Sequence, residues 1–214
     1  MKTPGHRVLK RETYRAMPWR NGRGVTREIA REPATGEEFA WRLSLADIEA
    51  DGDFSAYPGY SRALVLVAGN RLQLRFRGHG HCRLDPTKRG TRFEGDWRTH
   101  CVVPDGRCTD LSLIVRQGAA GRPRSIVRAP RVLRLRAARI LELSGELYGA
   151  LYVLEGTVAI TGSIRARARI LRAEDTALFL PGPRQKLTLR NLGRSAAQLV
   201  LLRWRAGRSN ELCR

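Results

Sequence analysis

The stretch Arg62-Ala-Leu-Val-Leu-Val-Ala-Gly69, followed by Leu72-Gln-Leu-Arg-Phe76, has the pattern of a buried strand, a glycine turn and a second strand. The same order returns later in Ala150-Leu-Tyr-Val-Leu-Glu-Gly156 and Thr157-Val-Ala-Ile160. The two halves of the chain are therefore weakly alike, which predicts a duplicated β structure.

The rest of the chain shows the same kind of pattern. Apolar or alternating runs of three to eight residues recur between Gly, Pro and Asn residues, and no long amphipathic helix is indicated. This predicts an all-β fold of the sandwich or closed-barrel type. The predicted strands are 41–48, 63–67, 72–76, 111–115, 132–135, 150–154, 158–160, 177–180, 186–189 and 198–204.

One segment, Gln117-Gly-Ala-Ala-Gly-Arg-Pro-Arg124, has only small, polar and turn-forming residues and nothing to bury. A domain junction is expected there. We therefore predict two domains, residues 1–120 with the distinctive motifs and residues 121–214.

The strand, glycine turn and strand, followed in the second half by Glu174-Asp-Thr-Ala-Leu-Phe-Leu-Pro-Gly182, resemble the two motifs of the cupin barrel. A bicupin, with two cupin-like barrels in one chain, is the expected fold. Counting back from the motif glycines, the slot of the metal-binding glutamate holds Arg62 in the first half and Gly149 in the second. No metal or other cofactor is expected, and an arginine in that slot favours a carboxylate.

Five motifs of the first half narrow the resemblance further. They are Pro18-Trp-Arg-Asn-Gly-Arg-Gly24, Thr26-Arg-Glu-Ile29, Trp41-Arg-Leu-Ser-Leu-Ala46, Asp51-Gly-Asp-Phe-Ser-Ala-Tyr-Pro-Gly-Tyr-Ser-Arg62 and Asp110-Leu-Ser-Leu-Ile-Val-Arg116. Over about residues 14–118 this set resembles the HutD/Ves family. The resemblance implies a bacterial cytoplasmic bicupin, found with histidine-utilisation genes and without an established catalytic activity. Arg23 and Ser112 stand where the family usually has a glycine and an asparagine.

The net charge of +20 raises the question of nucleic-acid binding. The forty basic residues are thirty-six Arg and four Lys, and they are scattered and often alternate with apolar residues. This favours solvated strand faces and a GC-rich coding sequence, and leaves nucleic-acid binding as a third hypothesis. No run of about 18 apolar residues predicts a membrane span, and four cysteines in a chain of this length predict reduced thiols.

The predicted site is a ligand pocket in the first barrel. Arginines would hold the carboxylates of a small acid such as formylglutamate or urocanate, a tryptophan would form an apolar wall, and polar groups would orient the ligand. The pocket residues are Asn21, Trp41, Arg42, Ser44, Ser55, Arg62, Asp110 and Ser112. The protein would then sense or moderate histidine utilisation without catalysis.

Two alternatives use the same residues. In a metal-independent isomerase or hydrolase, Asp110 or Glu28 would be the general base beside Arg62. In a purely structural arrangement, the arginines would be held by Glu28 or Asp110 in internal ion pairs, and no anion site would exist.

A competing constellation consists of side chains that can ligate zinc, although their spacing matches no recurring zinc module. Its members are His79, His81, Cys82, His100, Cys101 and Cys108. Adjacent strand residues such as His100 and Cys101 point to opposite faces, which argues against a nucleophile pair.

Overall fold

The computed structural model describes residues 6–19, 22–36, 38–118, 125–143, 147–162, 167–181 and 185–206. Within these ranges the chain is all-β, as predicted, and its one helical segment is a 3₁₀ turn, Arg11–Thr13. The described part contains no helix with the length and apolarity needed to cross a membrane. The strands are β1 (His6–Leu9), β2 (Arg15–Pro18), β3 (Gly24–Glu32), β4 (Trp41–Ile48), β5 (Gly52–Asp53), β6 (Tyr60–Ala68), β7 (Leu72–Phe76), β8 (Gly80–Leu84), β9 (Gly90–Glu94), β10 (Thr99–Val102), β11 (Cys108–Arg116), β12 (Ile126–Val127), β13 (Arg131–Leu135), β14 (Arg139–Leu143), β15 (Tyr148–Glu155), β16 (Val158–Thr161), β17 (Arg169–Leu171), β18 (Thr176–Phe179), β19 (Gln185–Asn191) and β20 (Ala197–Arg205).

All ten predicted strands are present. Two of them, β4 and β7, begin and end at the predicted residues, and the others differ by a few residues at their ends. The short or strongly polar strands, such as β2, β5 and β8, were not predicted.

Contacts divide the chain into two compact units, one built from residues 14–130 and the other from residues 6–13 with 131–205. Strand β1 pairs with β18, from His6 opposite Phe179 to Leu9 opposite Thr176. The described residues before Tyr14 therefore belong to the second unit, although a boundary at residue 120 would assign them to the first. The predicted junction lies largely outside the described residues, since 119–124 are not among them.

The first unit consists of two antiparallel sheets. One has the strand order β2–β3–β4–β11–β6–β9, and the other has the order β5–β10–β7–β8. An apolar cluster that includes Leu64, Leu66, Leu74 and Phe93 fills the space between them. Because side chains alternate along a strand, the inward face of each sheet carries every second residue.

The second unit repeats this plan. One sheet has the order β1–β18–β15–β20–β13, and the other has β14–β19–β16–β17. Its core includes Leu151, Val153, Phe179 and Leu199. The buried carboxylate of Asp175 closes a turn by accepting from the amide of Arg172 at 2.8 Å, and it also accepts from Lys10 Nζ at 2.7 Å. This contact ties residues after β1 to the second unit.

Glycines end the corresponding strands of both units. Gly69 follows β6 with φ +91°, and an added Cβ would lie 2.7 Å from Cys108 Cβ at the start of β11. Gly156 follows β15 with φ +94°, and an added Cβ would lie 2.9 Å from Ala197 Cβ at the start of β20. Both positions require glycine for its backbone conformation and for the close approach. The internal similarity seen in the sequence therefore reflects a repeated local structure.

Candidate functional site

A cavity of about 480 Å³ opens into the first unit on the inward face of its larger sheet. This volume lies in the range of about 300–1,000 Å³ that is typical of small-molecule sites. Its lining combines aromatic, hydroxyl and charged side chains, and the residues are Met17, Pro18, Trp19, Thr26, Arg42, Ser44, Ala46, Asp53, Phe54, Ser55, Tyr57, Arg62, Asp110, Ser112 and Ile114. Six of the eight predicted pocket residues are in this set.

Strand pairing arranges the floor of the cavity in rows. Ile114 on β11 lies opposite Arg42 on β4 and Arg62 on β6, so one row carries both arginines. With strands about 4.8 Å apart, the Cα atoms of the two arginines are separated by about 10 Å.

The next inward-facing row pairs Ser112 with Ser44, and the row beyond it pairs Asp110 with Ala46. Asp110 and Ile114 are four residues apart on β11, a distance of about 13 Å at 3.3 Å per residue. The pairing of β11 with β6 shifts register between Thr109 and Asp110, and such bulges re-aim side chains. The floor therefore has an arginine end, a hydroxyl middle and a carboxyl end.

Arg62 is buried, with 6% of its surface exposed, and is held mainly by aromatic rings. Its guanidinium carbon lies 5.2 Å from the ring centre of Phe54, 5.6 Å from Tyr57 and 5.0 Å from Phe93. Nη1 donates to the carbonyl of Ser55 at 3.3 Å, whereas Nε has no hydrogen-bond partner among the residues that the structure describes. Burial lowers the pKa of Arg62 to about 10, and the charge of Asp110 partly opposes this shift. The group stays cationic at neutral pH.

Arg42 is half-buried and has similar surroundings. Its guanidinium lies 5.0 Å from the ring centre of Phe39 and 5.3 Å from that of Tyr57. Nη2 donates to the hydroxyl of Tyr57 at 2.7 Å, and within the described ranges Nε has no hydrogen-bond partner. Among the described residues, neither Arg42 nor Arg62 forms an ion pair with a carboxylate. Among the described residues, an internal ion pair therefore does not hold the arginines, although the charge of Asp110 acts on Arg62.

Asp110 is the most buried polar residue of the cavity, with 1% of its surface exposed, and its Oδ1 has no hydrogen-bond partner among the described residues. Burial raises the pKa of Asp110 to about 7; the nearby Arg62 lowers this pKa and Asp47 raises it. The neighbouring Ser112 is also buried, and its Oγ has no partner in the described part of the chain either. Since buried polar atoms are usually satisfied, these two atoms are available to a ligand.

Trp41 does not line the cavity, contrary to the prediction that it forms an apolar wall. Along β4 the cavity receives Arg42, Ser44 and Ala46, so strand alternation turns Trp41 to the opposite face. There it is 2% exposed, and its Nε1 donates to Glu32 Oε2 at 2.9 Å. Trp41 is a packing residue.

The other predicted positions differ in their outcomes. Asn21 lies outside the described residues. Ser55 lines the cavity and contributes its carbonyl to Arg62. Glu28, the alternative base, does not line the cavity and pairs with Arg15 at 3.3 Å. Arg23, which replaces a family glycine, donates from Nη1 to the carbonyl of Asp51 at 3.1 Å.

The aromatic walls were missed by the prediction. They are formed by Trp19, Phe54 and Tyr57, and Trp19 is fixed by its Nε1 donating to Thr26 Oγ1 at 2.8 Å. All three lie within motifs quoted above. Their roles could not be assigned because they lie on turns and strand ends, where no alternation indicates which way a side chain points.

The competing zinc constellation does not assemble. His79 stacks on Trp97 with ring centres 4.3 Å apart, and His100 Nδ1 contacts Asp53 Oδ1 at 2.6 Å. Cys101 and Cys108 lie in the apolar core, where burial raises the pKa of both thiols. Within the described residues, no three His, Cys, Asp or Glu side chains are grouped as a metal site would require.

The second unit differs from the first at the arginine end, although Arg203 on β20 lies opposite Gly149 in the equivalent row. At the position that corresponds to Arg62, Gly149 carries no side chain, and a Cβ there would lie 3.2 Å from the ring of Phe179. Phe179 belongs to the apolar core of that unit. An aromatic ring thus fills the space near this position in the second unit.

The fold and the cavity together define a protein of the cupin-like β class with a small-molecule cavity in one unit. The HutD family model matches residues 11–197. The chain therefore belongs to the HutD family.

Two curated relatives support this assignment over shorter regions. An uncharacterised 21.2 kDa Pseudomonas putida protein from the region 3′ of hutC is 37% identical over 108 residues, or 50% of this chain and 56% of that protein. Protein Ves of Citrobacter koseri is 44% identical over 63 residues, or 28% of this chain and 33% of Ves. The chain thus spans about half of the first relative and a third of the second.

Two solved structures share the fold over nearly the whole chain. A conserved protein of unknown function from Pseudomonas aeruginosa PAO1 is 29% identical with a TM-score of 0.80, covering 94% of this chain and 100% of that one. HutD from Pseudomonas fluorescens SBW25 is 24% identical with a TM-score of 0.74, covering 96% and 100%. At 24% identity, the similarity to the Pseudomonas fluorescens protein shows a shared fold only.

Proposed function

We propose that this protein is a cytoplasmic bicupin whose first barrel binds a small carboxylic acid and which moderates or senses histidine utilisation without catalysis. Each compact unit would be one cupin-like barrel. The ligand would be an acidic intermediate of histidine breakdown, of the formylglutamate or urocanate type.

One observation carries the proposal: two arginines on the same row face one cavity, and neither is paired with a carboxylate among the described residues. A buried cation without a counter-ion is costly. Cation–π contacts offset part of this cost, while the unpartnered Nε atoms of Arg42 and Arg62 remain available. A ligand carboxylate would accept their hydrogen bonds and supply the missing charge.

The hydroxyl row would orient the rest of the ligand. Ser112 lies opposite Ser44 on the neighbouring strand, and its Oγ has no hydrogen-bond partner in the part of the chain that the structure describes. A hydroxyl can both donate and accept, so it can bind either a carbonyl or an N–H group. Because Ser112 replaces a family asparagine, this chain would accommodate a different or bulkier group at that point.

The link to histidine utilisation rests on family membership and on the hutC neighbourhood of the Pseudomonas putida relative. The second unit, with Phe179 packed near the position that corresponds to Arg62, would have a structural role and bind no acid.

The test is isothermal titration with formylglutamate, urocanate, formiminoglutamate, glutamate and histidine. One acid should bind, and its amide analogue should not. Arg62→Met should weaken binding by about ten- to a hundredfold, since a charged hydrogen bond contributes about 1.5–3 kcal/mol. If Arg62→Met folds poorly, Arg42→Met replaces it in the test and should also weaken binding.

The control is Arg134→Met, which removes the same charge from an exposed position in the second unit. It should leave affinity unchanged. Heat absent with every acid, or equal losses in all three variants, would contradict the proposal.

A second function is favoured by the buried Asp110 carboxyl, whose pKa of about 7 suits a general acid or base near neutral pH. Asp110 would then exchange a proton with a bound carboxylate ligand, with Arg62 as the electrophile. Mass spectrometry of each candidate acid after incubation would show turnover that Asp110→Asn abolishes. An unchanged acid would support the non-catalytic function.

A further inference from the structure

Asp110 stands apart from the arginines that face the same cavity. One inward-facing row, that of Ser44 and Ser112, separates it from the row of Arg42 and Arg62. Among the described residues it forms no ion pair with either arginine, and its Oδ1 has no hydrogen-bond partner. The charge of Asp110 therefore acts on Arg62 without a direct ion pair, and its charge state can change when a ligand enters.

We propose that Asp110 takes up a proton when an anionic ligand occupies the cavity, so that the protein binds the acid and a proton together. This inference rests on the proposed function, because it concerns the same cavity. It adds a coupling that acid binding alone does not require.

The charges in the cavity favour this coupling. Leaving aside Asp53, whose side chain is 84% exposed and contacts His100, the cavity carries two arginine charges and one carboxylate when Asp110 is ionised, for a net charge of +1; with Asp110 neutral the net charge is +2. A dicarboxylate brings two negative charges, which are balanced only when Asp110 is neutral. Because the interior screens charges weakly, the ligand disfavours the ionised form of Asp110.

The other groups around Asp110 do not remove this coupling. Asp47 is paired with Arg27 and accepts from Thr109 Oγ1 at 2.9 Å. The thiols of Cys101 and Cys108 remain neutral because burial raises their pKa. The charged and titratable groups around Asp110 come from five strands and one loop. They are Arg42 and Asp47 on β4, Asp53 on β5, Tyr57 in the loop after β5, Arg62 on β6, Cys101 on β10 and Cys108 on β11.

The sign of the pH effect follows from this coupling. The pKa of Asp110 is already raised to about 7 by burial, and a bound anion raises it further. Affinity should be constant below pH 7 and should fall by up to tenfold per pH unit above it, until the pKa of the bound state is reached.

The experiment is titration calorimetry at pH 8 with formylglutamate and urocanate as probes, in phosphate and in Tris. These buffers differ in ionisation heat, so the difference in observed heat counts the protons exchanged. Wild-type protein should take up close to one proton per formylglutamate, which has two carboxylates, and should bind it about tenfold more weakly at pH 8 than at pH 6.5. Urocanate, which has one carboxylate, should cause a smaller uptake. Asp110→Asn, which resembles the neutral carboxyl, should take up none and should bind equally at both pH values.

His81→Gln is the matched control, since it removes an imidazole from an exposed position on β8 that does not line the cavity. It should retain the proton uptake. Formylglutamate binding without proton uptake in the wild type would overturn the inference and leave the proposed function intact. Binding of neither probe to wild type or Asp110→Asn would overturn both, and proton uptake lost in His81→Gln would assign the proton elsewhere.

Discussion

Replacing Asp110 with asparagine should stabilise the protein increasingly as pH rises. The pKa of Asp110 is raised from 3.8 to about 7 by burial. Between these values the folded protein keeps a proton that the unfolded chain has released, so the free energy of unfolding falls as pH rises through this window. Three pH units at about 1.4 kcal/mol each give a loss of about 4 kcal/mol by pH 7, which an asparagine does not incur.

The assay is urea unfolding of wild type and Asp110→Asn at several pH values from 4 to 8. The difference between the two proteins at pH 4 measures the cost of the substitution itself, and its growth up to pH 7 should approach about 4 kcal/mol. Asp85 gives a contrast of opposite sign, because hydrogen bonds from Thr87 and Lys88 lower its pKa to about 2. Its contribution should be present above pH 4 and lost as pH falls toward 2. A constant difference between wild type and Asp110→Asn from pH 4 to 8 would refute the account of the buried carboxyl.

Three further outcomes are expected. Trp41→Phe should lower stability by about 1–3 kcal/mol in urea unfolding and leave ligand affinity unchanged, whereas a loss of affinity would return Trp41 to the site. Gly69→Ala should cost about 2 kcal/mol or more, because φ is +91° and the new Cβ would meet Cys108 Cβ at 2.7 Å; an unchanged melting temperature would contradict this reason. Thiol alkylation followed by mass spectrometry should leave Cys101 and Cys108 unmodified in native protein, since burial raises the pKa of Cys108 to about 12 and that of Cys101 further, and should modify both in urea.

The sequence predicts those parts of the fold that depend on local pattern. Strands such as Trp41–Ile48 and Leu72–Phe76 are bounded by turn residues and alternate or are fully apolar, so their ends could be predicted. His6–Leu9 could not, because its partner strand, Thr176–Phe179, lies about 170 residues away in the chain. Short edge strands such as Arg15–Pro18 bury little, so no apolar pattern identifies them.

The candidate site, like the fold, could be predicted only in part from the sequence. Motif resemblance brought together the two arginines, the two strand serines and Asp110. The resemblance also placed Trp41 in the pocket beside Arg42, although adjacent residues of one strand face opposite sides of the sheet. Strand alternation instead indicates Ala46 and Ile114, which lie two residues beyond Ser44 and Ser112 and line the cavity. The absence of an ion pair between Asp110 and Arg62 depends on side-chain distances, which no sequence pattern provides.

A crystal structure of the protein with the acid that binds in titration tests the central claim most directly. The account predicts a ligand carboxylate within about 3.2 Å of the guanidinium nitrogens of Arg62 and Arg42, with the remainder of the ligand against Ser112 and Asp110. An acid bound elsewhere, or a cavity without ligand in crystals of the saturated protein, would contradict it.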